Sequence, residues 1–170
     1  MKVKYGKVFE KRLNKHYDEL KWLYVELFHD ENAFDYFCSM LVKYYNDRSV
    51  LLKKMDRKRE KNPSWYQGHE LLGMLMYTNA FAGTLQGVRD HLDYIKECGV
   101  NYLHLMPIME TPVGRSDGGY AVSDFGKVQP ALGTMDDLLE LTNDCHNNGI
   151  SVCLDFVMNH TSEDHEWARR

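Results

Sequence analysis

The side chains most able to do chemistry lie in two short stretches, at residues 116–122 and 155–160. The first stretch reads SDGGYAV and sets Asp117 and Tyr120 around two glycines, which permit positive φ angles and close approach of the backbone. A carboxylate accepts hydrogen bonds from vicinal hydroxyl groups, and a planar ring covers the apolar face of a pyranose. The pair is therefore suited to a sugar, and a tight surface turn with a packed tyrosine is the alternative interpretation.

The second stretch sets Asp155 within an apolar run and ends on Asn159 and His160. A charge in an apolar strand needs hydrogen-bond donors, so we predict that Asp155 orients neighbouring strands and the loop that follows. His160 is either a functional side chain or a histidine that caps the next turn through the backbone. A metal ion would need more ligands, and only Asp155 in mid-strand and His165 in a polar, helix-like tail are available. We therefore predict no metal site.

Both stretches follow predicted β-strands. Strand-type apolar runs lie at residues 71–81, 100–106 and 150–157, and helical patterns begin at Thr84 and Thr134. Each of these helices ends at a glycine one residue before the next strand. This order of strand, helix, strand, helix, strand predicts an α/β fold with a parallel sheet, either doubly wound or a (β/α) barrel. Ligands bind at the carboxyl ends of such strands, which is where both polar stretches lie.

The first 70 residues have a different pattern, with helical periodicity and few glycines. Apolar stripes predict three helices that pack into a small helical core. Asp30 is a predicted N-cap for the second helix. The third helix follows Asp47 and should end before Asn62-Pro63, because proline disfavours helix at the preceding residue.

Composition excludes several classes of protein. The 170 residues are 44% hydrophobic and carry a net charge of -4, which gives no electrostatic ground for nucleic acid or an anionic membrane as a partner. We interpret the basic run at residues 53–61 as a solvated helix face. No apolar stretch reaches the roughly 20 residues that span a bilayer, and the N-terminus lacks a signal-peptide pattern. Four scattered cysteines predict reduced core or near-core thiols and a cytoplasmic location.

Longer motifs resemble a known family. Residues 154–167, LDFVMNHTSEDHEW, are similar to the third-strand motif of the α-amylase superfamily, glycoside hydrolase family thirteen, in which Asn and His follow a strand Asp by four and five residues. Residues 102–138, which contain GRSDGGYAVSDFG, resemble amylosucrases within that superfamily. Residues 56–88 also resemble them, except that Asn79 stands where family members usually have Asp.

This resemblance implies a partial (β/α)8 TIM barrel, about its first three βα units, in residues 71–170. It implies an all-helical N-terminal domain in residues 1–70. The implied activity is that of a sucrose-using glucosyltransferase, which makes α-1,4-glucan and releases fructose by a retaining double displacement. The implied partners are sucrose and an α-glucan acceptor. A sucrose hydrolase, another enzyme of the superfamily, and a non-catalytic degenerate fragment that binds sugar or only folds remain the alternatives.

The resemblance also implies roles for individual residues. Asp117 matches a residue that binds glucosyl hydroxyls, Tyr120 matches the ring stacked on that glucose, and His160 matches a histidine that hydrogen-bonds a glucosyl hydroxyl. Asp155 and Asn159 match structural positions. In many α-amylases the counterpart of Asn159 is a calcium ligand, but amylosucrases are not known to need calcium, so no cofactor or metal is predicted.

Retaining enzymes need two carboxyl groups about 5 to 5.5 Å apart. In this family these groups follow the fourth and fifth strands, so the resemblance implies that the nucleophile and the acid/base lie beyond residue 170. We therefore expect the 170-residue chain to resemble the N-terminal part of such an enzyme and to be inactive alone. Unpaired strands of the open barrel are expected to make it self-associate.

Overall fold

The computed structural model describes residues 6–116 and 118–169 and divides the chain into two compact units, residues 1–61 and 62–170. The described part of the first unit contains three helices, as predicted. They are α1 (Lys7–Phe28), α2 (Glu31–Asp47) and α3 (Val50–Lys61).

The helices of the first unit follow the local signals in the sequence. Asp30 caps α2, since its carboxylate accepts a hydrogen bond from the backbone N–H of Ala33 at 3.0 Å. Phe34 on α2 is fully buried, and its ring centroid lies 5.5 Å from that of Tyr17 on α1. The third helix ends at Lys61, just before Asn62-Pro63, as expected. A separate all-helical domain that extends to residue 70 stays a prediction.

The second unit has the predicted alternation of strands and helices. Strands β1 (Gly73–Met76), β2 (Tyr102–Leu105) and β5 (Ser151–Leu154) form a parallel sheet in the order β1-β2-β5, so each helical crossover returns the chain to the edge of the growing sheet. Strands β3 (Met109–Glu110) and β4 (Asp124–Val128) form a two-stranded antiparallel sheet in the connection after β2, where no strand was predicted. The elements are β1 (Gly73–Met76), α4 (Thr78–Ala82), α5 (Leu85–Asp90), α6 (Leu92–Glu97), β2 (Tyr102–Leu105), β3 (Met109–Glu110), β4 (Asp124–Val128), α7 (Met135–Asn147) and β5 (Ser151–Leu154).

Helix boundaries in this unit match the capping residues in the sequence. The Thr84 hydroxyl accepts from the backbone N–H of Gly87 at 3.0 Å, which starts α5. Thr134 and Asp137 form a reciprocal capping box at the start of α7. Gly99 and Gly149 follow α6 and α7 with φ of 79° and 76°, the left-handed conformation that ends a helix.

The strands are shorter than predicted, and the reason is in the hydrogen bonding. The backbone N–H of Asp155 donates to the carbonyl of Leu105 at 3.0 Å. The next bond of this parallel ladder would need an N–H from Pro107, which has none, so β5 ends at Leu154. The prediction of strand through residue 81 was also wrong, because Ala80 and Phe81 donate to the Tyr77 carbonyl and begin the short helix α4.

One apolar cluster holds the second unit together. Leu103 and Leu105 of the central strand are fully buried and pack with side chains from α5, α6 and α7. Apolar burial of this kind is the main favourable term in folding. Of the cysteines, Cys145 is buried in this cluster, but Cys98 is exposed, so the prediction that all four thiols lie in or near a core was wrong for Cys98.

Candidate functional site

Three chain segments meet the carboxyl edge of the parallel sheet. Tyr77 follows β1, the long connection of residues 106–123 follows β2, and Asp155 follows β5. Asp155 was predicted in mid-strand and instead stands one residue past the strand end. This places its carboxylate at the edge where parallel sheets present ligand-binding groups.

A hydrogen bond joins two of the predicted site residues. The Tyr120 hydroxyl donates to Oδ2 of Asp155 at 2.8 Å, and both side chains are half-buried. This bond links the connection after β2 to the end of β5, across 35 positions of the chain. The bond, together with burial and the negative charge of Asp155, raises the pKa of Tyr120 to about 12. The phenol is therefore neutral and fixed in orientation at physiological pH.

The two glycines before Tyr120 adopt the conformation predicted for them, with φ of 61° at Gly118 and 88° at Gly119. A Cβ at Gly118 would lie 3.2 Å from the Tyr77 hydroxyl oxygen, and one at Gly119 would lie 3.0 Å from Cβ of Pro107. The positive φ favours glycine at both positions, and at Gly119 the ring and backbone of Pro107 also leave little room for a Cβ. Asp117, the predicted carboxylate of this turn, lies outside the described residues.

His160 and Asn159 lie in the loop that follows β5. Both are exposed, and Nδ2 of Asn159 is 3.3 Å from Nδ1 of His160. They line a cavity of about 560 Å³ together with aromatic side chains that include Phe156 and Trp167. Among the described residues that line this cavity, neither Tyr120 nor Asp155 is present. The structure thus joins Tyr120 with Asp155 and His160 with Asn159, as two separate pairs.

Residues near the end of the chain contribute a cluster that the sequence patterns did not reveal. His165 was expected in a polar tail, yet it is 4% exposed. Its ring centroid lies 4.5 Å from that of Trp167 and 5.5 Å from that of Phe125, and its Nδ1 accepts from the Trp167 backbone N–H. The spacing of His165 and Trp167 was the available signal, since a histidine and a tryptophan two residues apart can pack on one another. Trp167 is 63% exposed and offers a ring face to solvent.

Two features are absent from residues 6–116 and 118–169. In that part of the chain no group of three or more His, Cys, Asp or Glu side chains is arranged to hold a metal ion. Nor does any helix there have the length and apolar character needed to cross a membrane.

Changing Asp155 to Asn is expected to lower the pKa of Tyr120 from about 12 toward its ordinary value of 10.0, because the variant removes the hydrogen bond to a carboxylate and the negative charge, both of which disfavour tyrosinate. Tyr120 has a raised pKa in the folded state, so its contribution to stability is present below pH 10 and is lost as the pH rises toward 12. Near-ultraviolet absorbance of tyrosinate during an alkaline titration measures the shift. The Tyr120→Phe chain identifies which transition belongs to Tyr120. An unchanged transition in the Asp155→Asn chain would contradict the assignment.

Comparison with known proteins gives the family. The family model described as "Alpha amylase, catalytic domain" matches residues 22–170. Trehalose synthase/amylase TreS of Mycolicibacterium smegmatis is 48% identical over 85 residues, which are 50% of this chain and 14% of that protein.

Two solved structures extend the comparison. Trehalose-6-phosphate hydrolase of Bacillus licheniformis superposes with a TM-score of 0.56 at 33% identity, over 62% of this chain and 20% of that one. A mutant isomaltulose synthase of Erwinia rhapontici, in complex with its natural substrate sucrose, superposes with a TM-score of 0.53 at 28% identity, over 58% of this chain and 18% of that one.

The chain spans a fifth or less of the length of these three proteins. The parallel sheet with its crossover helices is accordingly a partial TIM-barrel-like α/β structure. Because the family model covers most of the sequence, the chain belongs to the α-amylase family of glycoside hydrolases and transglycosylases, within its catalytic domain.

Proposed function

We propose that this chain supplies part of the glucose-binding subsite of a sucrose-using glucosyltransferase of the α-amylase family. The observation that carries the proposal is the hydrogen bond between Tyr120 and Asp155, which fixes an aromatic ring at the carboxyl edge of the sheet. Gly118 and Gly119 hold the same turn in a conformation that other residues rarely adopt. The ring, three positions after Asp117 in the sequence, is thereby set as a platform for one face of a glucosyl unit.

The proposed roles follow the chemistry of each side chain. The Tyr120 ring covers the apolar face of the glucose, and the Asp117 carboxylate accepts hydrogen bonds from its hydroxyl groups. His160 donates to a glucosyl hydroxyl, and Asp155 and Asn159 position Tyr120 and His160 respectively. Contacts that strengthen in the transition state contribute to catalysis more than uniform binding does.

The proposed reaction is a double displacement that retains the anomeric configuration. A carboxylate attacks the anomeric carbon of sucrose while a carboxylic acid protonates the departing fructose, and the glucosyl group then passes to an α-1,4-glucan. Family resemblance assigns those two carboxyl groups to strands that follow the three parallel ones described here. Sucrose is supported as the substrate by the Erwinia rhapontici enzyme, whose structure contains it.

Hydrolysis is the second candidate for the intact enzyme. It is favoured by the similarity to trehalose-6-phosphate hydrolase, at 33% identity over 62% of this chain. Transfer and hydrolysis share the glucosyl-enzyme intermediate and differ in whether a sugar hydroxyl or water takes the glucose. The proposed subsite residues therefore serve both reactions equally.

The 170-residue chain is expected to bind sucrose weakly and to release no fructose from it, because the three parallel strands described carry no assigned nucleophile. Saturation-transfer NMR measures binding, and an enzymatic fructose assay measures cleavage. Tyr120→Ala should abolish the saturation-transfer signal, whereas Tyr66→Ala, which removes a tyrosine that is 55% exposed elsewhere in the same unit, should preserve it. Fructose release by the wild-type chain, or equal binding by the Tyr120→Ala chain, would contradict the proposal.

Location and partners complete the proposal. A reducing, cytoplasmic location is supported by four cysteines that are all unpaired, two of them buried. The proposed ligands are sucrose and an α-glucan acceptor, with neither nucleic acid nor membrane.

Self-association of the 170-residue chain is proposed through β1 and β5. Each of these strands pairs along one edge only in the described residues, and light scattering tests the proposal.

A further inference from the structure

We infer that Arg115 is a positioning residue that ties the turn carrying Tyr120 to the segment after β5, and that this tie sets the affinity of the chain for sugar. Only the part of this inference that concerns sugar affinity rests on the proposed function. Arg115 stands in the connection after β2. Its Nη1 donates to Oε1 of Glu163 at 2.7 Å, and its Nη2 donates to a carboxylate oxygen of Asp164. One guanidinium therefore binds two adjacent carboxylates from a segment 48 and 49 positions away.

Arg115 is attached directly to the turn that it would hold. The Ser116 hydroxyl accepts a hydrogen bond from the backbone N–H of Ala121 at 3.0 Å. Ser116 directly follows Arg115 and Ala121 directly follows Tyr120, so this bond links the neighbour of the guanidinium-bearing residue to the neighbour of the proposed aromatic platform.

Among the described residues, two other hydrogen bonds also join these two segments. Tyr120 reaches Asp155, and the backbone N–H of Ser162 donates to the Val122 carbonyl at 2.8 Å. These two bonds fix the start and the middle of the segment after β5. Arg115 binds the next two residues of that segment, 163 and 164, of which the Glu163 side chain is 81% exposed. Ordering a loop before binding reduces the entropy that the ligand must offset, so the third bond should increase affinity.

The chain contains a matched control for this role. Arg169 also binds the Asp164 carboxylate, through its own Nη2. That bond joins residues five positions apart in one segment and does not reach the connection after β2. Arg115→Gln and Arg169→Gln each remove one cation from Asp164, but only the first releases the turn. Arg115→Lys keeps the charge and loses the planar fork that spans both carboxylates.

Two measurements on the full 170-residue chain test the inference. The first is hydrogen exchange of the Ser162 amide by NMR, which needs no sugar. The Arg115→Gln chain should exchange this proton about threefold faster than the wild type, in keeping with a partly exposed ion pair. Arg169→Gln should match the wild type, and Arg115→Lys should lie between. Raising the salt concentration should speed exchange in the wild type and leave Arg115→Gln unchanged, since salt screens the pair.

The second measurement is sucrose affinity by NMR titration, where Arg115→Gln should bind about threefold more weakly and Arg169→Gln as well as the wild type. Equal exchange and equal affinity in both glutamine variants would overturn the inference. A wild-type chain that binds no sucrose would refute the proposed function, while faster Ser162 exchange in Arg115→Gln would still support the tie. Equal acceleration of exchange, or equal weakening of sucrose binding, in both glutamine variants would show a general charge effect and would also overturn the inference.

Discussion

Replacing Leu103 with alanine is expected to lower the free energy of unfolding of the second unit by about 2 to 5 kcal/mol. Leu103 is fully buried in β2, the central strand, which is paired with β1 on one side and β5 on the other. The truncation removes apolar area from the main cluster and leaves a cavity that strands held on both sides cannot collapse to fill. Urea denaturation followed by circular dichroism measures the loss as a lower midpoint.

A matched variant shows whether burial is the cause. Leu75 lies in the neighbouring strand β1, opposite His104 of β2, and is 60% exposed. Leu75→Ala makes the same chemical change on the same sheet and should cost less than about 0.5 kcal/mol. Similar losses in the two variants would show that strand propensity, rather than packing of the core, decides the stability of this sheet.

Much of this fold could be predicted from the sequence because its helix boundaries are set locally. Thr84 and Thr134 each bind a backbone N–H three residues later, and Gly99 and Gly149 each adopt a positive φ. Both devices act within one turn of helix, so a reading of neighbouring residues is sufficient to find them. The order of helices between apolar runs then determined that the strands are parallel.

Strand lengths could not be predicted in the same way, because they depend on a partner far along the chain. The end of β5 at Leu154 is explained by Pro107, which lies 47 positions earlier and lacks the N–H for the next bond. The antiparallel pair β3-β4 was missed for a similar reason. Its first strand, Met109–Glu110, has two residues and therefore no periodicity to detect.

For the site too, the types of residue could be predicted from the sequence, whereas their pairing could not. Sequence patterns identified Tyr120, Asp155 and His160 as polar or aromatic groups after strand ends. They did not indicate that the Tyr120 hydroxyl would bind Asp155, since 35 residues separate the two. Nor did they indicate Arg115, whose role depends on carboxylates 48 and 49 positions away. Pairings of this kind follow from the topology, which brings the connection after β2 next to the segment after β5.

Replacing Gly119 with alanine is expected to disrupt the turn before Tyr120. At a φ of 88° an alanine costs about 1 to 2 kcal/mol, because its Cβ crowds the following carbonyl. Here the Cβ would also lie 3.0 Å from Cβ of Pro107 and 3.1 Å from its carbonyl oxygen. Rigid backbone and a proline ring cannot move aside easily, so the turn must shift. We expect the hydrogen bond between Tyr120 and Asp155 to break, and the Tyr120 pKa to fall from about 12 toward 10.0.

Gly114→Ala separates the two causes. Gly114 has a φ of 70°, and a Cβ there would meet nothing within 4 Å, so this variant incurs only the conformational cost. Both variants should lower the urea midpoint, but Gly119→Ala should lower it further and should alone shift the alkaline transition of Tyr120 to lower pH. If Gly114→Ala shifted that transition equally, steric contact between the added Cβ at residue 119 and Pro107 would not be the cause of the shift. The proposed sugar platform would then depend on backbone conformation alone.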